Sequence, residues 1–162
     1  MFVCHGNICR STMAEFVMKH LVKTSNLEEN FIIESSATSR EEIGSDTHHG
    51  TKAKLKEMNI PFSRRKAHQL TAHDCEEFDF IIGMDYENIR NIKRIAEEKN
   101  FKKVHLLLEY ADSSYSGDVT SFGNIVKAIA DPWYTGNFDA TYNDVLAGCT
   151  GLLKYLKEFY NL

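Results

Sequence analysis

Short apolar runs alternate with amphipathic stretches along this chain. The apolar residues 1 to 3 predict a short buried strand, which leads directly into a glycine-containing loop from Cys4 to Arg10. Apolar side chains then recur at helical spacing, which predicts a helix over residues 11 to 24. The chain is therefore expected to begin as a strand, a loop and a helix.

The same alternation continues to the end of the chain. Residues 31 to 33 (Phe-Ile-Ile) predict a second buried strand, and residues 138 to 160 predict a long helix with apolar residues in alternating steps of four and three. Further strands are predicted at residues 78 to 84 and 104 to 108, and further helices at residues 46 to 58 and after Asp85. Strands separated by helices indicate a parallel sheet covered on both faces. The predicted fold is α/β: a single domain over residues 1–162, a three-layer sandwich with a central four-stranded parallel sheet flanked by helices.

Composition narrows the class of protein. The 162 residues are 43% hydrophobic and 26% charged, which is typical of one folded globular domain. The net charge is -4 and there is no basic stripe, so no nucleic acid is expected as a partner. No apolar run approaches the roughly 20 residues that span a bilayer, so we expect no membrane partner and a cytoplasmic location.

The cysteines and one long connection complete this outline. The four cysteines, at the irregularly spaced positions 4, 9, 75 and 149, indicate reduced thiols rather than a disulfide framework. Their spacing does not form a zinc site, and no metal or other cofactor is expected. Residues 110 to 130, rich in Ser, Gly and Asp, are long for a connection and predict a lid or an insertion.

The loop from Cys4 to Arg10 carries the candidate chemistry. A glycine-bearing loop that runs into a helix supplies backbone N–H groups and the positive end of the helix dipole, which together bind a phosphate dianion. Arg10 adds a planar fork that binds two phosphate oxygens at once. The positive potential of these groups also favours the thiolate form of Cys4, so the candidate nucleophile lies within the anion-binding site.

The bare spacing of cysteine and arginine is not specific. Free cysteine is among the most buried residue types, so Cys4 alone fits a core thiol at a strand end. Here the spacing is joined to a preceding strand, to Gly6 inside the loop, to Ser11 beside Arg10 and to a helix immediately after. This combination favours the catalytic interpretation.

These residues resemble the signature of the low-molecular-weight protein tyrosine phosphatases, which is close to V-C-x-G-N-I-C-R-S-P. The match runs from Val3 to Ala14 and departs at Thr12, where the family usually has proline, and at His5, where a larger apolar residue is common. Similar segments extend over nearly the whole chain: residues 35 to 39, 69 to 71, 78 and 79, 84 and 85 with Asn88, and 131 to 134.

The resemblance implies a role for each matching residue. It implies that Cys4 is the nucleophile of a phosphocysteine mechanism, that Arg10 binds phosphate and the transition state, and that Asp131 is the general acid and base. The implied phosphate-binding residues are His5, Gly6, Asn7, Ile8, Cys9 and Arg10. The implied loop-supporting residues are Asn7, Ser11 and Ser35, and Ser11 is also expected to steady the departing thiolate.

The resemblance also outlines a substrate pocket. Trp133 and Tyr134 would line its mouth with aromatic surface suited to a phenyl leaving group. Glu41 stands where the family commonly has another aromatic wall, which predicts either a preference for basic flanking residues or weaker binding of aryl phosphates. A loop-supporting family histidine is replaced by Arg65, and the usual arginine before Gln69 is His68.

The expected substrates are a phosphotyrosine-containing protein or a small aryl phosphate, with inorganic phosphate as product. The protein is expected to be a monomer or weak dimer.

Two alternative functions remain: an arsenate reductase of the same fold with Cys75 in an electron relay, and a phosphoryl-carrier module without a general acid. A reversible Cys4–Cys9 disulfide is a further hypothesis of redox control. The remaining histidines, including His48, His49 and His73, are expected to be solvated, and Cys75 and Cys149 to be structural.

Overall fold

The computed structural model describes residues 1 to 115 and 128 to 162. The predicted lid or insertion at residues 110 to 130 therefore lies largely outside the described residues. The strands are β1 (Phe2–Cys4), β2 (Ser35–Ala37), β3 (Ile81–Gly83) and β4 (Val104–Leu106). The helices are α1 (Arg10–Thr24), α2 (His49–Glu57), α3 (Ala72–Glu77), α4 (Tyr86–Ile95), α5 (Pro132–Thr135) and α6 (Phe138–Tyr160). Short 3-10 turns occupy Glu28–Asn30, Glu98–Lys103 and Leu107–Glu109.

The four strands form one parallel sheet in the order β2-β1-β3-β4. In the register of the central strand β1, Phe2 lies opposite both Ser35 of β2 and Ile82 of β3. This confirms the predicted α/β class and the four-stranded parallel sheet. Because the strands are parallel, their carboxyl ends meet at one edge, where ligands bind in open α/β folds.

Helices cover both faces of this sheet. Phe2 and Cys4 of β1 pack into the larger core cluster with α1 and α6, whereas Met1 and Val3 pack into a second cluster with residues of α3 and α4. Successive side chains of a strand point to opposite faces, so the two clusters lie on opposite sides of the sheet. The predicted three-layer arrangement is confirmed.

The prediction of a strand over residues 31 to 33 is wrong. The second strand is Ser35–Ala37, and Ile32 is 79% exposed while its neighbours Phe31 and Ile33 pack against the core edge. Small polar residues form this buried strand because hydrogen bonds satisfy Ser35: its hydroxyl donates to Glu15 and accepts from Asn7. A prediction from hydrophobicity alone therefore places this strand at the wrong residues.

For the other predicted elements, the type of secondary structure is correct but the first and last residues are less accurate. Helix α6 lies where the periodicity places it, whereas α2 begins at His49 rather than at residue 46 and β4 passes into a 3-10 turn after Leu106. The short helices α3 and α5 were not predicted. Helix α3 begins at a capping box between Thr71 and Asp74, a signal that the sequence does contain.

Candidate active site

The loop from Cys4 to Arg10 lies at the carboxyl edge of the sheet. Cys4 ends β1 and Arg10 begins α1, so the loop wraps around the amino end of a 15-residue helix. Asn7 adopts a left-handed conformation with φ of 57°, which asparagine tolerates better than most residues. The loop backbone is also tied to its surroundings, since the His48 N–H donates to the Ile8 carbonyl.

The Cys4 sulfur lies among hydrogen-bond donors. Its Sγ is 3.1 Å from Ser11 Oγ, and the backbone N–H of Asn7 donates to it at 3.3 Å. The sulfur therefore lies at the amino end of α1, within hydrogen-bond distance of one backbone N–H and one hydroxyl. The geometry fits the expected nucleophile.

Arg10 is held by two carboxylates. Its Nη1 donates to Asp85 Oδ2 at 2.5 Å and to the Ile129 carbonyl at 3.2 Å, and its Nη2 donates to Asp131 Oδ2 at 2.6 Å. Burial disfavours its charge, but the Cys4 sulfur and the Asp131 and Asp85 carboxylates together outweigh burial and raise the pKa of Arg10 above its ordinary value. Its Nε is buried and has no partner among the described residues, so this N–H can donate to a bound anion.

Asp131 is positioned by the start of a short helix. It is the N-cap of α5: its Oδ1 accepts from the Trp133 N–H at 3.1 Å, and Pro132 occupies the first turn. Its Oδ2 pairs with Arg10. One carboxylate oxygen is therefore fixed by backbone, and the other is paired with Arg10.

A small cavity of about 100 Å³ opens above the cysteine. Its lining contains Cys4, His5, Gly6, Ile8, Cys9, Glu41, Glu42, Asp131, Trp133 and Tyr134. Trp133 and Tyr134 are largely exposed at the mouth, and on another part of the rim Glu41 Oε2 lies 2.9 Å from His5 Nε2. The expected nucleophile, acid and pocket residues thus meet in one cavity, and Glu41 lies at the rim as expected.

A buried polar network supports the loop from behind. The Asn7 side-chain amide donates to Ser11 Oγ and Ser35 Oγ, both at 2.9 Å, and Ser35 Oγ donates to Glu15 Oε2 at 2.6 Å. Arg65 donates to Asn7 and to the Ser35 carbonyl. The structure therefore groups the expected support residues with Arg65.

Two residues of the site were missed by sequence reasoning. Asp85 is the N-cap of α4, and its second oxygen also binds Arg10. Glu15 lies in the second turn of α1, where its carboxylate is buried and accepts from Ser35. The Met84-Asp85 pair, with Asn88, was the sequence signal that could have identified Asp85. Glu15 had no local signal in the sequence.

The other cysteines lie in different environments. Burial and the nearby Cys4 raise the pKa of Cys9 to about 12, and burial raises the pKa of Cys149 and of Cys75. Cys75 packs in the core cluster on the face of the sheet opposite to that of Cys4. A relay from Cys75 to Cys4, as the arsenate reductase alternative requires, would have to cross the sheet.

His48 is not simply solvated as predicted. Its Nδ1 accepts from the Gly50 N–H and caps α2, and its ring stacks on Phe138 with centroids 5.4 Å apart. Burial and the neighbouring His49 lower the pKa of His48, which favours the neutral ring that can accept this bond. The histidine therefore belongs to the packing beside Trp133, whose ring it contacts edge-on.

The fold and the loop define the class, an α/β protein with a cysteine-based anion site at the carboxyl edge of a parallel sheet. A sequence model of the family described as low molecular weight phosphotyrosine protein phosphatase matches residues 1–161. The chain belongs to this family, and its activity is that of a protein-tyrosine-phosphatase acting on phosphoprotein or phosphate substrates.

Individual relatives agree with the family match. The chain is 35% identical over 158 residues to low molecular weight protein-tyrosine-phosphatase YfkJ of Bacillus subtilis (strain 168), with 98% of this chain and 95% of that protein covered. It is 36% identical over 162 residues to PtpA of Staphylococcus aureus (strain MRSA252), with 99% and 95% covered.

Solved structures give the same result. The crystal structure of YfkJ superposes with a TM-score of 0.87 at 34% identity, covering 97% of this chain and 92% of that one. The crystal structure of SP-PTP, a low molecular weight protein tyrosine phosphatase from Streptococcus pyogenes, superposes with a TM-score of 0.81 at 38% identity, covering 99% and 95%.

The described residues contain neither a membrane-spanning helix nor a metal-binding cluster. Among residues 1 to 115 and 128 to 162, no helix has the length and apolarity needed to cross a membrane. Within the same part of the chain, no group of three or more His, Cys, Asp or Glu side chains is arranged to hold a metal ion.

Proposed function

We propose that the chain hydrolyses phosphotyrosine and small aryl phosphates through a phosphocysteine intermediate on Cys4. One observation carries this proposal: the Cys4 sulfur lines a cavity at the amino end of α1, and Arg10 and Asp131 are paired beside it. Nucleophile, anion-binding group and acid are thereby within reach of one bound phosphoryl group.

Substrate binding rearranges the ion pairs of Arg10. The incoming phosphate dianion accepts from the loop N–H groups and from the unpartnered Arg10 Nε. It also competes with Asp131 for Arg10 Nη2, because that nitrogen faces the cavity-lining carboxylate. Asp85 keeps the other side of the guanidinium in place during this exchange.

The exchange leaves Asp131 beside the bound phosphoryl group. As the general acid, Asp131 must carry the proton that the departing ester oxygen needs. The Cys4 sulfur then forms a bond to phosphorus as the bond from phosphorus to the ester oxygen breaks. That oxygen takes the proton from Asp131 and departs as a phenol.

The second step reverses the proton transfer. Asp131, now a carboxylate, removes a proton from a water molecule that attacks phosphorus and breaks the phosphorus–sulfur bond. The sulfur leaves as a thiolate, which the Ser11 hydroxyl stabilises at 3.1 Å. Inorganic phosphate is released and the resting enzyme is restored.

Two different kinds of surface form the rim of the pocket, one aromatic and one polar. Trp133 and Tyr134 offer aromatic surface, whereas the other wall is the His5–Glu41 pair. We propose phosphotyrosine peptides with basic flanking residues as the preferred class, because the Glu41 carboxylate lies exposed at the rim, where basic side chains of a peptide can pair with it. We further propose one domain over residues 1–162, a cytoplasmic monomer or weak dimer, and no nucleic-acid or membrane partner.

Hydrolysis of p-nitrophenyl phosphate tests the proposal. We expect Cys4→Ser to lower kcat by about 10³-fold or more, because the hydroxyl lacks a thiolate's nucleophilicity. Arg10→Lys should lower kcat/KM by about 10²-fold, since lysine cannot bridge two phosphate oxygens. Cys75→Ser, on the other face of the sheet, is the matched control and should leave both parameters unchanged. Activity retained by Cys4→Ser would overturn the proposal.

A further inference from the structure

His48 lies between the phosphate-binding loop and the segment that carries the proposed acid. Its backbone N–H donates to the Ile8 carbonyl at 2.8 Å. Its ring stacks on Phe138, with centroids 5.4 Å apart and planes 7° from parallel. The same ring meets the Trp133 ring edge-on, with centroids 5.7 Å apart. One residue therefore contacts both the catalytic loop and the aromatic side chains around α5.

The His48 ring is itself held in place. Its Nδ1 accepts from the Gly50 N–H at 3.1 Å as the N-cap of α2, and its carbonyl accepts from the Lys52 N–H at 3.0 Å. Gly50 also lets Phe138 approach closely, since a Cβ at this position would lie 2.4 Å from the Phe138 ring. The imidazole is thereby fixed by α2 on one side and by the first residue of α6 on the other.

Helix α5 is too short to fix its own position. It contains four residues, Pro132–Thr135, and the chain then passes through the left-handed Gly136, with φ of 67°. A single helical turn gains little stability from its own hydrogen bonds. Trp133 is 56% exposed, so packing contacts such as the one with the His48 ring must set where α5 lies.

The Asp131 carboxyl group belongs to the same turn as Trp133. Its Oδ1 accepts from the Trp133 backbone N–H at 3.1 Å, and its carbonyl accepts from the N–H groups of Tyr134 and Thr135, both at 3.1 Å. A displacement of Trp133 would therefore displace this carboxyl group. Misplacing a reacting group by about 1 Å can cost about 10²-fold in rate.

We propose that the His48 ring is a positioning residue that fixes α5, and with it the Asp131 carboxyl group, against the phosphate-binding loop. The inference rests on the proposed role of Asp131 as the general acid. His48 adds no group to the chemistry; it sets the distance between the acid and the nucleophile.

Two substitutions separate the ring of His48 from its capping function. Asparagine is among the best N-cap residues, so His48→Asn keeps an acceptor for the Gly50 N–H and removes the ring. His48→Phe does the opposite, because it keeps a ring that can stack on Phe138 and contact Trp133 but removes the acceptor. The proposal assigns the effect on catalysis to the ring.

The leaving group of the substrate reports on the acid. We expect His48→Asn to lower kcat/KM for phenyl phosphate by about 10-fold, because the displaced acid protonates the ester oxygen less well. For p-nitrophenyl phosphate the loss should be less than about 2-fold, since p-nitrophenolate departs without a proton. His48→Phe should recover most of the activity on phenyl phosphate. His73→Asn, the same substitution at an exposed position of α3, is the control and should change neither value.

A double-mutant cycle tests whether His48 acts through Asp131. In the Asp131→Asn background there is no acid to misplace, so adding His48→Asn should cause no further loss that is specific to phenyl phosphate. A loss of the same size in both backgrounds would mean that His48 acts on another part of the site and would overturn the proposal.

Fluorescence gives a second readout that needs no turnover. Trp133 is the only tryptophan of the chain, so its emission reports on α5 alone. Time-resolved anisotropy should show more local rotation of the indole in His48→Asn than in the wild type, and His48→Phe should restore the slower rotation. If His48→Asn does not fold, Phe138→Leu removes the ring stacked on His48, keeps the cap, and is carried through the same measurements.

The kinetic results separate this inference from the proposed function. Absence of a leaving-group effect in Asp131→Asn itself would overturn the acid role and the positioning role with it. If Asp131→Asn shows the effect but folded His48→Asn loses activity equally on both substrates, or not at all, the positioning role alone is wrong. A folded His48→Phe variant that recovers neither activity nor anisotropy would also overturn it.

Discussion

At the residue scale, the central arrangement is an arginine shared between two carboxylates of different function. Asp85 and Asp131 both bind Arg10, but only Asp131 also lines the cavity. In the proposed mechanism, Asp85 orients the guanidinium, whereas Asp131 exchanges it for phosphate before it donates a proton. The two aspartates should respond differently to the leaving group of the substrate.

Asp131→Asn should discriminate between leaving groups. Without the acid, we expect kcat/KM for phenyl phosphate to fall by about 10²- to 10⁴-fold. For p-nitrophenyl phosphate the fall in kcat/KM should be much smaller, because p-nitrophenolate departs without a proton and kcat/KM does not include the later hydrolysis of the phosphocysteine. Asp85→Asn is the control: it removes a carboxylate from Arg10 and should affect both substrates equally. Steady-state kinetics with both substrates measure this, and an equal loss for both in Asp131→Asn would contradict the assignment.

The residues that could be predicted from the sequence are those whose roles follow from local spacing. Cys4, Arg10 and the loop between them are contiguous, and Asp131 is followed by proline and two aromatic residues. Glu15 and Asp85 act through partners 20 and 75 positions away, so their site contacts depend on how the sheet and helices assemble. His48 was misjudged for the same reason, since its ring packs on Phe138 of a distant helix.

At the element scale, α6 shows how close packing overrides helix propensity. Gly148 and Gly151 lie inside this helix, where glycine costs about 1 kcal/mol relative to alanine. A Cβ on Gly151 would lie 1.7 Å from the Tyr110 carbonyl oxygen, and one on Gly148 would lie 2.6 Å from the Leu107 side chain. Both glycines let the helix approach the segment that follows β4.

Gly151→Ala should therefore destabilise the protein despite the better helix propensity. The contact is with backbone, which cannot move aside as a side chain can, and we expect a loss of about 3 kcal/mol or more in the free energy of unfolding. Thr150→Ala, at the exposed neighbouring position, should change it by less than about 0.5 kcal/mol. Urea unfolding followed by circular dichroism provides the values. A stabilised Gly151→Ala variant would show that the close approach is absent.

The helices and strands also show which elements can be predicted from the hydrophobic pattern of the sequence. Helix α6 was predicted because one apolar stripe repeats over many turns. Strand β2 was misplaced because its buried residues are two serines and an alanine, and the burial of the Ser35 hydroxyl depends on the hydrogen bond that it accepts from Asn7 and the one that it donates to Glu15. Periodicity reports hydrophobic burial and does not report burial that polar partners make possible.

At the scale of the whole molecule, the fold gives its four free cysteines distinct environments. Cys149 lies in the core beside α1, Cys75 lies on the opposite face of the sheet, and burial raises the pKa of both thiols. Cys9 shares the catalytic loop, but burial and its neighbour Cys4 raise its pKa to about 12. The Cys4 sulfur lines the cavity and accepts from the Asn7 N–H, whereas the raised pKa of Cys9 disfavours its thiolate, so a phosphoryl group should be found on Cys4 and on no other cysteine.

The most direct test of the central claim is to trap that phosphoryl group. Asp131→Asn mixed with p-nitrophenyl phosphate should accumulate the intermediate, because the first step needs no proton while the second lacks its base. Acid quenching on the millisecond scale, followed by peptide mass analysis, should find one phosphoryl group on Cys4, released as inorganic phosphate at longer times. A phosphoryl group on any other residue, or turnover with no phosphorylated enzyme, would contradict the account.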